Sequence, residues 1–199
     1  MINLKKGQGI NLKKERTNEG LKNITLGLGW KSGVKSKGLL GSLFGSVINR
    51  DVDLDSGIAM YKDDSYVGTC YYGNKIIRYN GDKIIYHHGD DTTGRNKMTS
   101  TDNEQIEIFL SKIDTSKINK MYLIMNVFSS GITLDQIQKA YVNVYDDENK
   151  VIATYNLSDD YKNKNGVIIG RVEYTNNEGW KFFADGTGKN ISRIQNFRL

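Results

Sequence analysis

The feature that most constrains this chain is alternation of apolar and polar residues with a period of two, in many short runs. "DVDLDSGIAMYK", "SYVGTCYYG", "KIIRYNGDKIIYHHG", "IEIFLSKI", "KMYLIMNVF", "AYVNVYD", "KVIATYNLS", "GVIIGRVEYTN" and "GWKFFADG" are all rich in β-branched and aromatic residues. Such side chains fit a pleated, half-buried surface. The turn signals "NGD", "DDEN", "NKNG" and "NNEG" fall between the runs. Short strands with regular punctuation predict an all-β fold, a two-sheet β-sandwich. The 21 glycines and the absence of proline fit tight turns between strands. At 199 residues the chain can bury a core of ordinary size, and residues 1–199 are expected to form a single domain.

Three local readings refine this. "INLKK" occurs at residues 2–6 and again at 10–14 with "GQG" between, which predicts two strands joined by a glycine-rich turn. "NITLGLGW" predicts a strand with Leu26, Leu28 and Trp30 on one face, and Gly27 and Gly29 on the other where a neighbour approaches closely. "TLDQIQKA", residues 133–140, opens with a Thr N-cap and spaces Leu134, Ile137 and Ala140 along one face, which predicts the one short helix. Residues 31–50 are rich in Gly, Ser and Lys around an apolar knot, Leu39, Leu40, Leu43 and Phe44, and read as an inserted, mobile loop.

The net charge of +5 is unevenly distributed. Residues 1–50 hold ten Lys/Arg and two acids, whereas residues 51–110 hold six Lys/Arg and eleven acids. A basic N-terminal region could meet a peripheral anionic surface. Its lysines are not interleaved with stacking aromatics, so no specific nucleic acid is expected. The only cysteine is Cys70, in a strand, so no internal disulfide can form and a reducing compartment fits. The opening "MINLKKGQG" has no apolar core of a secretory signal. No run approaches the ~20 apolar residues of a membrane helix. The cytoplasm is the expected location.

The acidic middle holds the candidate chemistry. In "DVDLDSG" an extended backbone puts Asp51, Asp53 and Asp55 on one side. They form either a solvated face or a cation site. An EF-hand loop is excluded, because Ser56 and Lys62 stand where Gly and Glu are needed. "HHGDDTTG" adds Asp90 and Asp91. The chain's two histidines, His87 and His88, are adjacent and point to opposite faces of a strand, which argues against catalytic zinc. "TSTDNEQ" adds Asp102 and Glu104. Carboxylates at neighbouring sheet ends suit a hard, oxygen-liganded cation.

In order, "LKKGQGINLKK", "GLGW", "DVDLDSG", "YYGN", "HHGDDTTG", "TDNEQI" and "EGWKFFADGTG" make the chain resemble the TerD family, the tellurium-resistance and general stress proteins of bacteria. The resemblance covers nearly the whole chain. It implies a β-sandwich of the TerD type that binds calcium and has no established catalytic activity. The metal positions it implies are Asp51, Asp53, Asp55, Asn74, Asp90, Asp91, Asp102 and Glu104. The chain departs from the family pattern at several places. Asp91 stands for Asn, Gly73 for Asn and Asn103 for Asp, and Arg95 and Lys97 enter a stretch that is acidic in the family. Positive charge near the ion opposes its binding, so one calcium site rather than two is expected.

These readings lead to a non-enzymatic, calcium-binding stress-response protein that works through protein partners or self-association. The alternative is a structural module of a larger assembly with calcium sites partly lost. The Lys-, Asn-, Ile- and Tyr-rich composition suggests an AT-rich genome, which a phage could share with its host, so a virion component fits that alternative. No Ser/His/Asp order, phosphate-cradling glycine loop or Cys/His pair suggests an enzyme.

Overall fold

The computed structural model describes residues 1–35, 47–48, 51–94, 102–157 and 161–199. Fourteen strands appear among them. In chain order these are β1 (Ile2–Leu4), β2 (Gly9–Asn11), β3 (Ile24–Lys35), β4 (Val47–Ile48), β5 (Leu54–Lys62), β6 (Ser65–Tyr71), β7 (Ile76–Tyr79) and β8 (Asp82–His87). There follow β9 (Glu104–Ile108), β10 (Lys120–Val127), β11 (Ile137–Tyr145), β12 (Val151–Asn156), β13 (Gly166–Thr175) and β14 (Gly179–Lys189). They form two sheets. The first runs β1-β12-β11-β3-β9-β8-β7, with β4 against the end of β3, and the second runs β2-β14-β13-β10-β5-β6.

The alternation read in the sequence builds the core between the sheets. Leu26, Leu28 and Trp30 of β3 and Val142 and Val144 of β11 face inward from the first sheet. Leu54, Ile58 and Met60 of β5 and Met121, Leu123 and Met125 of β10 meet them from the second. Gly27 and Gly29 lie on the outer face of β3, where Tyr145 and Tyr141 lie over the backbone. A Cβ at Gly29 would run into the Tyr141 ring. The close approach expected there is what the glycines permit.

The two "INLKK" copies give two strands joined by a glycine turn, as expected, but the strands do not pair with each other, and two further expectations are corrected. Gly7, at φ +82°, turns the chain so that β1 pairs parallel with β12 in the first sheet while β2 pairs with β14 in the second. Each copy is too short to cover its own apolar side chains, and each finds a longer strand instead. The expected helix at 133–140 is one 3₁₀ turn, Leu134–Gln136. The Thr133 backbone N–H does donate to Gln136 Oε1 at 3.1 Å, as in a capping box. Helix cannot continue, because Ile137 already pairs with Val34 in β11 and Lys139 sits at φ +51°. Residues 31–35, assigned to the inserted loop, instead extend β3, and Val47–Ile48 pair back onto Val34 and Lys35. The apolar knot at 39–44 lies outside the described residues.

The outer face of the second sheet is also covered. After β14 the chain folds back, and Ile191, Ile194 and Phe197 pack on Ala59, Tyr61, Tyr122, Ile124 and Ile168. Strands β5 and β10 are therefore buried on both faces, and all of β5 but its last residue is buried. This burial surrounds the acidic residues at the start of β5.

Candidate metal centre

Two inner-facing residues anchor the segment leading into β5. Val52 is fully buried, its N–H donates to Thr93 O at 3.3 Å, and its carbonyl accepts from Trp30 Nε1 at 3.2 Å. The Asp53 backbone is held from the other side. Its N–H donates to Ser129 Oγ at 2.9 Å and its carbonyl accepts from the Phe128 N–H at 3.0 Å. With the main chain fixed, the side chains of Asp53 and Asp55 project together on the outer side of the second sheet, where Asp90 joins them from the loop after β8. One oxygen from each of Asp53, Asp55 and Asp90 lies within 4.8 Å of the others.

The electrostatics of this trio are unfavourable without a counter-charge. Burial, then the charges of Asp90 and Asp91, push the Asp53 carboxyl up to about 6. Burial, then Asp53 and Asp90, push Asp55 up to about 7. Asp53 Oδ1 is buried and has no hydrogen-bond partner. Tyr72, after β6, feels the same field. The Asp55 charge leads the causes that raise its phenol, followed by burial and Asp90. Like carboxylates gathered in a half-dry site and short of donors are the arrangement a hard cation relieves.

Asp91 has a different role. It is 3% exposed. Its Oδ1 accepts from the Thr93 N–H at 3.0 Å, Thr93 Oγ1 at 2.8 Å and the Gly94 N–H at 3.2 Å. Its Oδ2 accepts from Asn103 Nδ2 at 2.8 Å. Asn103 Oδ1 in turn accepts from the Trp30 N–H at 2.9 Å. Asp91 thus shapes the loop that presents Asp90. Two departures from the family pattern, Asp91 for Asn and Asn103 for Asp, face each other across this 2.8 Å hydrogen bond. They amount to one exchange within a pair, and the charge of the pair is unchanged.

Of the remaining expected positions, Glu104 touches Asp90 from inside the core, and the others are held elsewhere. Asp51 is exposed ahead of β5. Asn74 is exposed and closes the turn between β6 and β7, where its Nδ2 donates to Thr69 O at 3.1 Å. Asp102 and Glu104, close in sequence, separate onto opposite faces of the first sheet. Asp102 lies outside against Gly27 and accepts from Tyr145 OH at 2.6 Å, Asn143 Nδ2 at 3.1 Å and Gln105 Nε2 at 3.1 Å. Glu104 points inward. It accepts from Ser56 Oγ and, at 3.3 Å, from the Asp91 N–H, and it lies within hydrogen-bond reach of Asp90. Burial raises its carboxyl well above the usual carboxylate range. Arg95 and Lys97 lie outside the described residues.

His87 is fully buried beside this group, with Nε2 3.3 Å from Ser56 Oγ and 3.7 Å from Glu104 Oε2. Burial lowers its imidazole to about 4, so it is neutral at physiological pH. His88 points the other way, toward Tyr86 and Glu107. The opposed histidines are as alternation requires. The Ser56–His87–Glu104 arrangement went unread in the sequence, since its members are far apart and come from both sheets. All three side chains are buried.

The model of the TerD domain family matches residues 1–196. The chain belongs to the TerD family. It is 30% identical to the stress response protein SCP2 of Bacillus subtilis (strain 168), over 98% of this chain and 96% of that one. It is 32% identical to the tellurium resistance protein TerZ of Serratia marcescens, over 94% and 89%. Among solved structures, a homologue of telluride resistance protein (TerD) from Streptomyces coelicolor A3(2) superposes with a TM-score of 0.61 at 14% identity, covering 86% of this chain and 92% of that one. That likeness is one of fold. The two-sheet architecture expected from alternation is the TerD architecture. No helix among the described residues is long and apolar enough to cross a membrane.

Proposed function

We propose that this TerD-family chain is a calcium-binding stress-response protein of the bacterial cytoplasm that acts through protein partners rather than by catalysis. The observation that carries the reading is the trio Asp53, Asp55 and Asp90, whose oxygens converge within 4.8 Å while one of them, Asp53 Oδ1, is buried without a donor. Every donor atom in the trio is a carboxylate oxygen, which suits a hard cation such as calcium better than zinc or copper, whose sites favour imidazole or thiolate. Relatives named for stress response and tellurium resistance supply the physiological class. Asp91 and Glu104 support the site by holding the Asp90 loop. Asp102 spends its oxygens on Tyr145, Asn143 and Gln105, and among the described residues one carboxylate cluster can hold an ion.

Isothermal titration of calcium into the wild type and into Asp53→Ala/Asp90→Ala tests this. The wild type is expected to bind one equivalent, and the double variant to lose binding at least a hundredfold. A wild type that binds nothing at millimolar calcium, or a double variant that binds as well as the wild type, overturns the reading. The chain would then be an interaction module whose carboxylates are a relic of metal binding.

A further inference from the structure

We propose that Asn126 completes the ion site as a neutral oxygen ligand from β10, an inference that rests on the calcium reading above. Asn126 is directly opposite Asp55 in the antiparallel β5–β10 pair. Directly opposed residues share a face, with Cβ atoms roughly 4.5–5.5 Å apart. The face is fixed independently by alternation. Met125 and Val127 point into the core between the sheets, and Ile124 and Tyr122 point outward. On β5, Leu54 and Ile58 point inward and Ala59 outward. Asn126 therefore points to the side on which Asp53, Asp55 and Asp90 gather.

The amide is 1% exposed, and its Oδ1 has no hydrogen-bond partner. An acceptor buried this deeply is nearly always satisfied. Among the described residues, its cross-strand neighbours offer no donor. Across β5 stands Asp55, and across β13 stands Gly166, which has no side chain and is covered by Ile191. Asn165, the nearest amide in sequence on that side, is committed at both ends to the Ile191 main chain, at 2.8 Å each. Along β10 the same-face neighbours are Ile124 and Phe128. Asp53 Oδ1 is the other buried acceptor on this face without a donor. The two orphaned oxygens flank Asp55, one two residues before it on its own strand and one opposite it. A cation between them satisfies both, and the Asn126 carbonyl adds a ligand at the buried side without adding charge to an already crowded set of acids.

Calorimetric titration of calcium into the wild type, Asn126→Ala and Asn126→Asp tests this. Asn126→Ala is expected to weaken binding at least tenfold with the stoichiometry of the residual site unchanged. Asn126→Asp keeps an oxygen at the position and is expected to bind at least as tightly as the wild type. A purely structural asparagine would not separate the two variants in this way. An Asn126→Ala protein that binds within twofold of the wild type overturns the assignment while leaving the calcium site standing. A wild type that binds no calcium overturns both. If Asn126→Ala does not fold, the side-chain amide signals of Asn126 in isotope-labelled wild type decide. They are expected to shift on calcium addition, and signals that stay in place overturn the assignment.

Discussion

At the scale of single residues, the decisive distinction is between carboxylates that gather and carboxylates that fasten. Asp53, Asp55 and Asp90 gather, whereas Asp91 and Asp102 spend their oxygens on protein donors. The Asp91–Asn103 pair gives a sharp expectation. Asp91→Asn removes a charge-assisted acceptor from a buried hub, and Asn103→Asp sets two buried carboxylates side by side. Each alone is expected to lower stability by about 2–4 kcal/mol. The double exchange restores the donor–acceptor pair and is expected to recover most of that loss. Urea denaturation of the four proteins checks this, and additive losses would show that the two residues do not act as a pair. Much of this site was legible in sequence. Period-two alternation put Asp53 and Asp55 on one side, and the glycine-flanked "HHGD" marked Asp90 as a loop carboxylate. Asp102 was not legible, because alternation holds only within a strand. β9 begins at Glu104, and the backbone ahead of it sets Asp102 against Gly27 on the outer face and Asn103 against Asp91. Asn126 left a weak signal, a lone amide in the apolar run "KMYLIMNVF".

Among the elements, the C-terminal segment does more than its short sequence suggests. Residues 191–197 cover the outer face of β5 and β10, the two strands that carry Asp55 and Asn126. Gly57 is bare because a Cβ there would lie 2.5 Å from Ile194 Cγ2 and 2.8 Å from Cys70 O. Ile194 is 1% exposed, and Ile194→Ala is expected to cost about 2–4 kcal/mol in chemical denaturation. A cost below 1 kcal/mol would mean that the segment lies loosely on the sheet. This element could not be read beforehand, since "ISRIQNF" has neither a strand nor a helix period and its apolar residues are claimed only by tertiary contact. The same competition explains why the two turn-linked strands do not pair with each other and why the helix stops after one turn. A turn-linked repeat and a capped turn were correctly read as local features, but longer strands elsewhere in the chain recruited both.

For the whole molecule, a linkage between pH, calcium and stability is expected. The folded-state values of Asp53 and Asp55 lie above the ordinary carboxylate value, so the folded chain holds protons that the unfolded chain has released. Stability of the calcium-free protein therefore falls as pH rises through those values. His87 acts in the opposite direction. Its depressed value makes the folded state lose stability as pH drops below about 6.5. The useful window is between about pH 6.5 and 8, where Asp55, at about 7, still titrates and outweighs the last part of the His87 contribution, which ends as the unfolded histidine loses its remaining proton. In chelator, thermal unfolding is expected to show a lower midpoint at pH 8 than at 6.5. Calcium is expected to raise the midpoint more at pH 8 than at 6.5, because fewer protons remain to be displaced. A calcium-free midpoint that rises across this window would contradict the electrostatic description of the site.

The proposed ion lies among Asp53, Asp55, Asp90 and Asn126 on the outer side of the second sheet. Diffraction from crystals grown with calcium, recorded at a wavelength where calcium scatters anomalously, tests this. One anomalous peak is expected, bounded by oxygens of these four residues at the 2.3–2.6 Å typical of calcium. A peak beside Asp102 on the opposite face, or no peak at millimolar calcium with the four side chains well ordered, would contradict it.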